Sequence, residues 1–365
     1  MLSSNLAIAT KRGVAVLTRM IGSLEVSIAG VGCGNFGLFI DEPKSRAVVE
    51  AALDLGITHF DTADVYGEGA SEEFLGRALG ARRREVVITT KFGASTPPDG
   101  IRPGSASWVR SACEASLARL NTDWIDLYLL HHPDPTTPII ETLGALSELQ
   151  SAGKVREIGC SNFNPEQVDE ASSVAAKLGV SGFKTVQNSY SLLDRTAEST
   201  LIPTCRRLGI PILPYLPLAS GMLTGKYRRG EKRPEAGRLA LSLRGALVRD
   251  LFPALLIDES FDIVEALERY AKDHGHTLIE LALAWLASKP YVAGLIAGAT
   301  SPEQLRENAN AMSSWNLTDA DQSEIAELTR VDVAYTWNAG FPSYAHLPDH
   351  IDGSSTPNVR QLQQE

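Results

Sequence analysis

Short apolar runs rich in β-branched residues alternate along the chain with longer segments in which apolar residues recur every three to four positions. The short runs predict buried strands, and the longer segments predict helices that pack on a sheet. The predicted strands are Ile28–Gly32, Thr58–Asp61, Val86–Lys91, Ile125–Leu130, Val155–Ser161, Thr185–Gln187, Ile212–Leu216 and Gly294–Ala297. The predicted helices that follow them are Lys44–Leu55, Glu72–Leu79, Ser107–Leu120, Pro138–Ala152, Pro165–Leu178, Ser199–Arg207, Phe261–Asp273 with Thr277–Leu286, and Pro302–Met312.

Eight β/α units in succession, with no break in composition near the middle, favour one closed (β/α)8 TIM barrel of the α/β class over two separate wound sheets. The predicted division of the chain is an N-terminal extension at 1–17, the barrel at 18–330 and a C-terminal tail at 331–365. A long loop follows the seventh strand, from Ala219 to Glu259, and such loops usually build the active site. The tail is rich in Pro, Ser, His and aromatic residues, and it either covers the barrel mouth or is loosely attached.

Composition narrows the possible partners. A formal net charge of −10, from 44 acidic and 34 basic residues, argues against binding to duplex nucleic acid. No apolar run approaches the roughly 18 residues of a membrane span, so no membrane partner is expected. The first 24 residues contain basic but no acidic residues, yet they lack the segments of a targeting signal, so an extended, partly disordered N-terminus is expected. The four cysteines are widely separated, which argues against a zinc site and favours a cytoplasmic protein: Cys33, Cys113, Cys160 and Cys205.

The stretch GCGNFG, Gly32 to Gly37, matches the spacing of a Rossmann phosphate-binding turn, and Asp61 ends the next predicted strand as a ribose-binding carboxylate would. In a Rossmann turn the helix begins at the third glycine, because its N-terminus binds the pyrophosphate. Here Asp41 and Pro43 place the helix start several residues later. We therefore interpret the glycines as the first βα loop of the barrel, where backbone can approach a ligand closely.

Titratable side chains follow three consecutive strands at their carboxyl ends. Asp61 ends the second strand and Tyr66 lies in its loop, Lys91 ends the third strand, and His131 and His132 follow the fourth. Because the carboxyl ends of barrel strands share one face, these side chains are expected to converge there. Each of them alone fits a structural role better than a catalytic one, but their joint position favours catalysis.

The combination has a chemical logic. A phenol is a weak acid at neutral pH, but a nearby ammonium group lowers its pKa, so Tyr66 beside Lys91 would exchange a proton. A buried Lys91 needs an anionic partner, and Asp61 is the nearest candidate by strand order. An imidazole at His131 would orient a carbonyl oxygen or take part in proton transfer. The set therefore predicts interconversion of a carbonyl and an alcohol.

The chain resembles the aldo-keto reductase superfamily from residue 18 to about residue 328. The motifs that carry the resemblance are GITHFDTADVYGEGASEEFLGRAL, VVITTKFG, IDLYLLHHPDP, GKVREIGCSNF, VQNSYSLLDR, YLPLASGMLTGKY and IAGATSPEQLREN. The resemblance implies a barrel enzyme that binds NADP(H), or alternatively NAD(H), in an extended conformation without a Rossmann domain. It also implies a catalytic tetrad of Asp61, Tyr66, Lys91 and His131, where the proline two positions later selects His131 over His132.

The resemblance further implies a set of binding residues. Ser161, Asn162 and Gln187 would bind the nicotinamide carboxamide, Tyr215 would stack on its ring, and Cys33, Gly34 and Asp61 would lie close to it. The pyrophosphate would be held by Leu216, Leu218, Gly221 and Lys226. The adenosine end would be held by Gly298, Thr300, Gln304, Arg306, Glu307 and Asn308. Substrate would contact Tyr66, Phe92, His131 and His132.

Three positions depart from the family pattern. Leu216 stands where many members have serine, which removes one hydroxyl from the cofactor site. The GATSPEQ segment lacks the lysine or arginine that often binds a 2′-phosphate, so the preference for NADP rests on Arg306. Gly34 replaces a bulky residue common at the mouth, which predicts a wider substrate pocket.

The expected activity is NADP-dependent oxidoreduction of an aldehyde, a ketone or a sugar-like alcohol, with Tyr66 as general acid and base. The alternative from another functional class is an NADP(H)-binding regulatory subunit similar to the channel-associated members of the superfamily. A metal-dependent hydrolase using Asp61, His131 and His132 is disfavoured, since adjacent histidines on opposite sides of a strand end make poor joint ligands. The sequence leaves the oligomeric partner open.

Overall fold

The computed structural model describes residues 6–9, 15–94, 100–232, 234 and 255–330. The strands are β1 (Leu6–Ala9), β2 (Ala15–Ile21), β3 (Leu24–Ser27), β4 (Ala29–Gly32), β5 (His59–Asp61), β6 (Val87–Phe92), β7 (Ile125–Leu130), β8 (Val155–Ser161), β9 (Val186–Ser189), β10 (Ile212–Tyr215) and β11 (Leu295–Gly298). The helices are α1 (Glu42–Asp54), α2 (Ala70–Leu79), α3 (Ala106–Leu120), α4 (Ile139–Ser151), α5 (Pro165–Leu178), α6 (Thr196–Ser199), α7 (Leu201–Leu208), α8 (Asp258–Asp273), α9 (Leu278–Ala287), α10 (Pro302–Ala311) and α11 (Asp319–Leu328).

Strands β4 to β11 pair in parallel and close into a barrel, in which β11 lies between β10 and β4. In the register of the first three strands, Gly32 pairs with Asp61 and Asp61 pairs with Thr89. The strand ends that carry the predicted catalytic residues therefore lie side by side at the carboxyl face. This arrangement confirms the predicted single-domain (β/α)8 barrel, including all eight predicted strands.

An antiparallel sheet of β1, β2 and β3 precedes the barrel, and the sequence pattern does not predict it. Ile21, Leu24 and Val26 from its hairpin are buried together with Val87, Leu127, Leu129, Leu213 and Ala293 of the barrel. The Arg19 guanidinium donates hydrogen bonds of 2.7 Å to the carbonyls of Ala287 and Lys289, at the end of α9 and just after it. The hairpin thus packs against the barrel interior, and the predicted boundary between 17 and 18 falls inside β2.

Local sequence signals set the helix starts. Asn164 caps α5 and Thr277 caps α9, each in a reciprocal capping box with the residue three positions later. Asp41 caps α1 by accepting a 3.1 Å hydrogen bond from the Lys44 amide, so this helix begins well after GCGNFG. Residues Cys33–Asn35 form a short 3-10 helix instead. The stretch is therefore a βα loop, as predicted, and no Rossmann helix starts at its third glycine.

Only the two ends of the long loop after β10 belong to the described part of the chain. A turn at Ala219–Thr224 follows β10. Arg228 then pairs with Glu268 of α8, and Arg229 with Asp258 of the same helix at 2.7 Å. The rest of this loop and the tail at 331–365 lie outside the described residues, so the prediction that the tail covers the mouth is not addressed. No helix in the described segments is both long and apolar enough to cross a membrane.

Candidate active site

A buried ion pair lies at the carboxyl ends of β5 and β6. The Lys91 ammonium is 2.6 Å from one carboxylate oxygen of Asp61, and the two residues are 0% and 2% exposed. Lys91 also donates to the main-chain carbonyl of Thr62 at 2.7 Å. Neighbouring parallel strands bring these side chains together, since both strands end at the same face of the barrel.

Tyr66 lies above this pair in a short 3-10 turn, Tyr66–Gly69. Its hydroxyl is 3.5 Å from Lys91 Nζ, and the ammonium lies 4.9 Å from the centre of the phenol ring. The next three residues, Gly67, Glu68 and Gly69, all have left-handed backbone conformations, with φ of 57°, 57° and 94°. The loop therefore folds back sharply and holds the phenol next to the ammonium.

The charge of Lys91 is set by its partners. Burial on its own would lower the pKa of Lys91, but the charges of Asp61 and Tyr66 and the hydrogen bonds to both raise it above its usual value. The side chain is therefore a permanent cation beside Tyr66. A cation next to a phenol stabilises the ionised phenol, which is the form left after proton donation.

His131 and His132 follow β7. The His131 ring meets the Tyr66 ring edge-on at 5.9 Å between centroids, and it stacks on the His132 ring at 5.0 Å. Burial, followed by the charge of Lys91, lowers the pKa of His131 well below its usual range, and burial lowers the pKa of His132 to about 4. Both imidazoles are therefore neutral at neutral pH, and a neutral imidazole keeps one N–H donor.

The stacking corrects one expectation about these histidines. The two rings lie face to face within 8° of parallel, and not on opposite sides of the strand end, because both residues belong to the loop after β7. His131 Nδ1 is buried and has no hydrogen-bond partner among the described residues. In the same part of the chain, no group of three or more His, Cys, Asp or Glu side chains could hold a metal ion.

A series of hydrogen-bonded side chains extends from Asp61 to the ends of β8, β9 and β10. The Gln187 amide nitrogen donates to the second carboxylate oxygen of Asp61 at 2.7 Å, and Ser161 Oγ donates to the main-chain oxygen of Gln187 at 2.7 Å. Asn162 has a left-handed backbone, φ 62°, and its amide oxygen accepts the Tyr215 hydroxyl at 2.7 Å. The residues predicted to bind the carboxamide and ring of nicotinamide therefore lie together next to the tetrad.

The turn after β10 is strained. Leu216, Ala219 and Ser220 have φ of 52°, 46° and 56°, a conformation that L-residues rarely adopt, and Gly221 follows with φ 97°. Within the turn, the Ala219 amide donates to the Leu216 carbonyl and the Gly221 amide donates to the Leu218 carbonyl, both at 2.8 Å. Lys226 lies beside it, since a Cβ on Gly221 would be 3.0 Å from Lys226 Nζ.

Ser220 is a candidate binding residue that the sequence reasoning missed. The residue is buried, and its hydroxyl has no hydrogen-bond partner among the described residues. A buried polar atom without a partner is costly, so it indicates a ligand or water that the hydroxyl would bind. The Ser-Gly pair in LASGMLTGKY is the signal that could have found it, because Gly allows the turn that directs the serine inward.

The predicted adenosine-binding residues lie at the end of β11 and the start of α10. The Asn308 amide nitrogen donates to the main-chain oxygen of Gly298 at 3.3 Å. The Gln304 amide oxygen accepts from the main-chain amide of Thr300 at 3.0 Å and from its hydroxyl at 2.9 Å. These hydrogen bonds connect the first turns of α10 to the loop after β11, so the four predicted residues form one group.

Arg306 and Glu307 lie on the exposed side of α10, close to these residues in the chain. The Arg306 side chain is 51% exposed and lies 3.5 Å from Glu303, one turn earlier in the helix. An exposed pair of this kind is weak. Arg306 is therefore available to an anionic group that approaches the end of β11.

Two residues predicted to contact cofactor or substrate have side chains that pack inside the protein. Phe92 is fully buried and packs on Tyr128 at 4.7 Å between ring centroids, because strand alternation places it opposite Lys91. The Cys33 side chain is also fully buried, and its thiol points to the Val31 carbonyl. Contact of either residue with a bound cofactor or substrate stays a prediction.

Gly34, in contrast, borders Tyr66. A Cβ at Gly34 would lie 3.6 to 3.8 Å from three atoms of the Tyr66 ring, which is ordinary contact distance. The absence of a side chain therefore leaves space beside the phenol. The site as a whole combines a phenol, a buried cation, a neutral imidazole and a strained turn with a buried hydroxyl at one face of the barrel.

Comparison with known proteins identifies one matching family and several similar proteins. The model of the Aldo/keto reductase family matches residues 29–330. The chain is 38% identical over 318 residues to "Probable aldo-keto reductase 1" of Glycine max, covering 85% of this chain and 88% of that protein. It is 36% identical over 284 residues to "Probable voltage-gated potassium channel subunit beta" of Oryza sativa subsp. japonica, covering 76% and 84%. It is 32% identical over 299 residues to "L-glyceraldehyde 3-phosphate reductase" of Escherichia coli (strain K12), covering 80% and 85%.

Proposed function

The chain belongs to the aldo/keto reductase family, an oxidoreductase family that generally uses nicotinamide cofactors, and on this premise we propose that it is an NADP(H)-dependent carbonyl reductase or alcohol dehydrogenase. Its substrates are aldehydes, ketones or, in the reverse direction, sugar-like and other alcohols. The observation that carries the proposal is the Tyr66 hydroxyl 3.5 Å from the buried Lys91 ammonium.

Each side chain at the barrel mouth has its own role in the proposed reaction. When bound, the nicotinamide supplies or accepts the hydride at the carbonyl carbon. In reduction, Tyr66 donates its hydroxyl proton to the carbonyl oxygen, so that the product is an alcohol and the side chain is left as a phenolate. Lys91 stabilises that phenolate, and Asp61 fixes Lys91 in place. The neutral His131 donates a hydrogen bond that orients the carbonyl oxygen.

The observed groups fit a nicotinamide dinucleotide. Ser161, Asn162 and Gln187 supply the amide and hydroxyl groups that a carboxamide requires, and Tyr215 supplies an aromatic surface. The buried Ser220 hydroxyl, which has no hydrogen-bond partner among the described residues, provides a donor for a phosphate oxygen. A cation beside the turn that carries Ser220 comes from Lys226. The cofactor would therefore extend from the tetrad across the end of β10 towards β11.

A second candidate function is an NADP(H)-binding regulatory subunit. It is favoured by the similarity to the rice protein and by 34% identity over 294 residues to another "Probable voltage-gated potassium channel subunit beta", from Arabidopsis thaliana. The two candidates differ in turnover, because a sensor needs to bind the cofactor but not to cycle it. The complete tetrad favours an enzyme, although one protein can serve both roles.

The proposal is tested by absorbance at the reduced nicotinamide band. The purified chain is assayed with NADPH and NADH against a panel of aldehydes and ketones, and with the oxidised cofactors against alcohols. We expect steady turnover with at least one carbonyl class and a preference for NADPH. Tight cofactor binding without turnover on any member of the panel would support the regulatory subunit instead.

Arg306→Ala is expected to lower the preference for NADPH over NADH by about tenfold, because a guanidinium bound to the 2′-phosphate contributes only with NADPH. Cofactor dissociation constants are measured by fluorescence quenching for both cofactors. The matched control is Arg330→Ala, since Arg330 forms a similar exposed pair, 3.4 Å from Glu327. An unchanged ratio in Arg306→Ala would remove the argument for NADP.

Gly34→Leu is expected to lower kcat/KM for ketones with two large substituents by about tenfold or more, because the new side chain fills the space beside Tyr66. Small aldehydes should keep a kcat/KM close to that of the unmodified protein. Gly144→Leu is the control, since a Cβ there meets no atom within 4 Å in the described structure. Equal losses for large and small substrates would show that Gly34 does not set the pocket width.

A further inference from the structure

The loop that carries Tyr66 contains one residue, Glu68, in a backbone conformation that its side chain does not favour. Glu68 adopts φ 57° without being a glycine, between Gly67 at φ 57° and Gly69 at φ 94°. A strained loop of this kind persists only when the surrounding structure determines it. The groups that press on this loop therefore decide where the Tyr66 hydroxyl lies.

Contacts fix the loop from two sides. A Cβ on Gly67 would lie 2.9 Å from the main-chain oxygen of Phe36, so the loop packs tightly on the segment after β4. A Cβ on Gly69 would lie 2.8 Å from Cδ of Arg119, so the stem of this α3 arginine supports the loop from the other side. The loop thus lies between the first βα loop and Arg119.

Arg119 is held by Glu72, in the first turn of α2. Glu72 is 0% exposed, and one carboxylate oxygen accepts from Arg119 Nε at 2.6 Å. The other oxygen accepts from the Thr90 hydroxyl at 2.5 Å, and Thr90 directly precedes Lys91 in β6. The proposed chemistry uses none of the side chains of Glu72, Arg119 and Thr90, yet a carboxylate is fully buried among them.

The contacts of Glu72 connect the strand that carries Lys91 with the loop that carries Tyr66. Through Thr90, Glu72 attaches the start of α2 to the strand that carries Lys91, and through Arg119 it supports the loop that carries Tyr66. We infer that Glu72 and Arg119 are positioning residues that set the distance between the Tyr66 hydroxyl and the Lys91 ammonium. The inference rests on the proposed function for its kinetic consequences but not for its geometry.

A purely structural role is the competing explanation, because breaking any buried ion pair destabilises a protein. The chain offers a matched control at the opposite end of the barrel. Asp126 pairs with Arg83 at 2.7 Å, and the two side chains are 1% and 8% exposed. Glu72→Gln and Asp126→Asn both replace a buried carboxylate by an amide, so they separate loss of stability from loss of positioning.

The kinetic test compares kcat, KM and the cofactor dissociation constant of the two variants. We expect Glu72→Gln to lower kcat by about tenfold or more while cofactor affinity stays within about twofold, since small misplacement of a reacting group is costly. Asp126→Asn should leave kcat within about twofold. Arg119→Lys, which keeps the charge, should retain more kcat than Arg119→Ala. Equal effects of Glu72→Gln and Asp126→Asn on kcat would overturn the inference.

The distance between the Tyr66 hydroxyl and the Lys91 ammonium is measured independently of turnover. Crystal structures of the two variants should show a Tyr66 to Lys91 distance that lengthens in Glu72→Gln and is unchanged in Asp126→Asn. If Glu72→Gln does not fold, Thr90→Val removes the link to β6 alone and takes its place. Lack of turnover in the unmodified chain would contradict the proposed function, whereas an unchanged distance in the variant would contradict the positioning role.

Discussion

Tyr66→Phe is expected to lower kcat for carbonyl reduction by about three orders of magnitude, because it removes the proposed proton donor and, apart from the 3.5 Å contact with Lys91, leaves the site intact. The ring keeps its contact with the Lys91 ammonium, 4.9 Å from the ring centre, and with His131. The residues proposed to bind the cofactor are untouched. Cofactor affinity and the free energy of unfolding should therefore stay close to those of the unmodified protein.

The measurement pairs steady-state kcat with cofactor binding by fluorescence quenching. Tyr270→Phe is the control, since its hydroxyl donates to Asp321 at 2.6 Å in the contact between α8 and α11, away from the barrel mouth. We expect full activity in that variant. A Tyr66→Phe variant that retains kcat within about threefold would exclude Tyr66 as the proton donor and require another acid.

The barrel could be predicted from the sequence because each strand is a short apolar run between two helical segments. Parallel pairing then places every strand end at one face, so Asp61, Lys91 and the Tyr66 loop converge by topology alone. The antiparallel hairpin of β2 and β3 is not predicted, although Gly22 and Ser23 form a two-residue connection between Ile21 and Leu24, which pair across it. Its strands precede the regular β/α repeat and so fall outside the pattern.

The direction in which a side chain points cannot be predicted by matching sequence motifs. Phe92 lies next to Lys91 in sequence but on the opposite face of β6, where it packs against Tyr128. For Ser220 the sequence offers only the following glycine as a signal, and the burial of its unpartnered hydroxyl is evident only in the folded backbone. The Glu72 connection depends on contacts between residues far apart in sequence, so no local pattern indicates it.

Lys91→Met is expected to cost about 3–5 kcal/mol in the free energy of unfolding and to remove almost all activity, because it leaves the buried Asp61 carboxylate without its cation. The hydrogen bond from Gln187 to Asp61, 2.7 Å, offsets only part of that loss. Denaturant unfolding gives the stability and the absorbance assay gives the activity. Lys154→Met is the control, since Lys154 pairs with Glu114 at the exposed surface and should lose little.

The difference in unfolding free energy between the unmodified protein and Lys91→Met is expected to depend on pH. The pKa of Lys91 is raised in the folded protein, so its contribution to stability is fully present below the ordinary value of 10.5 and is lost as pH rises through the folded value. The part of the stability difference between the unmodified protein and Lys91→Met that comes from the charge of Lys91 should therefore be lost in alkaline solution. The double variant Asp61→Asn with Lys91→Met should be more stable than Lys91→Met alone, because no buried charge remains unpaired. If the single variant unfolded at the same denaturant concentration as the unmodified protein, the ion pair would not be the central support of the Tyr66 site.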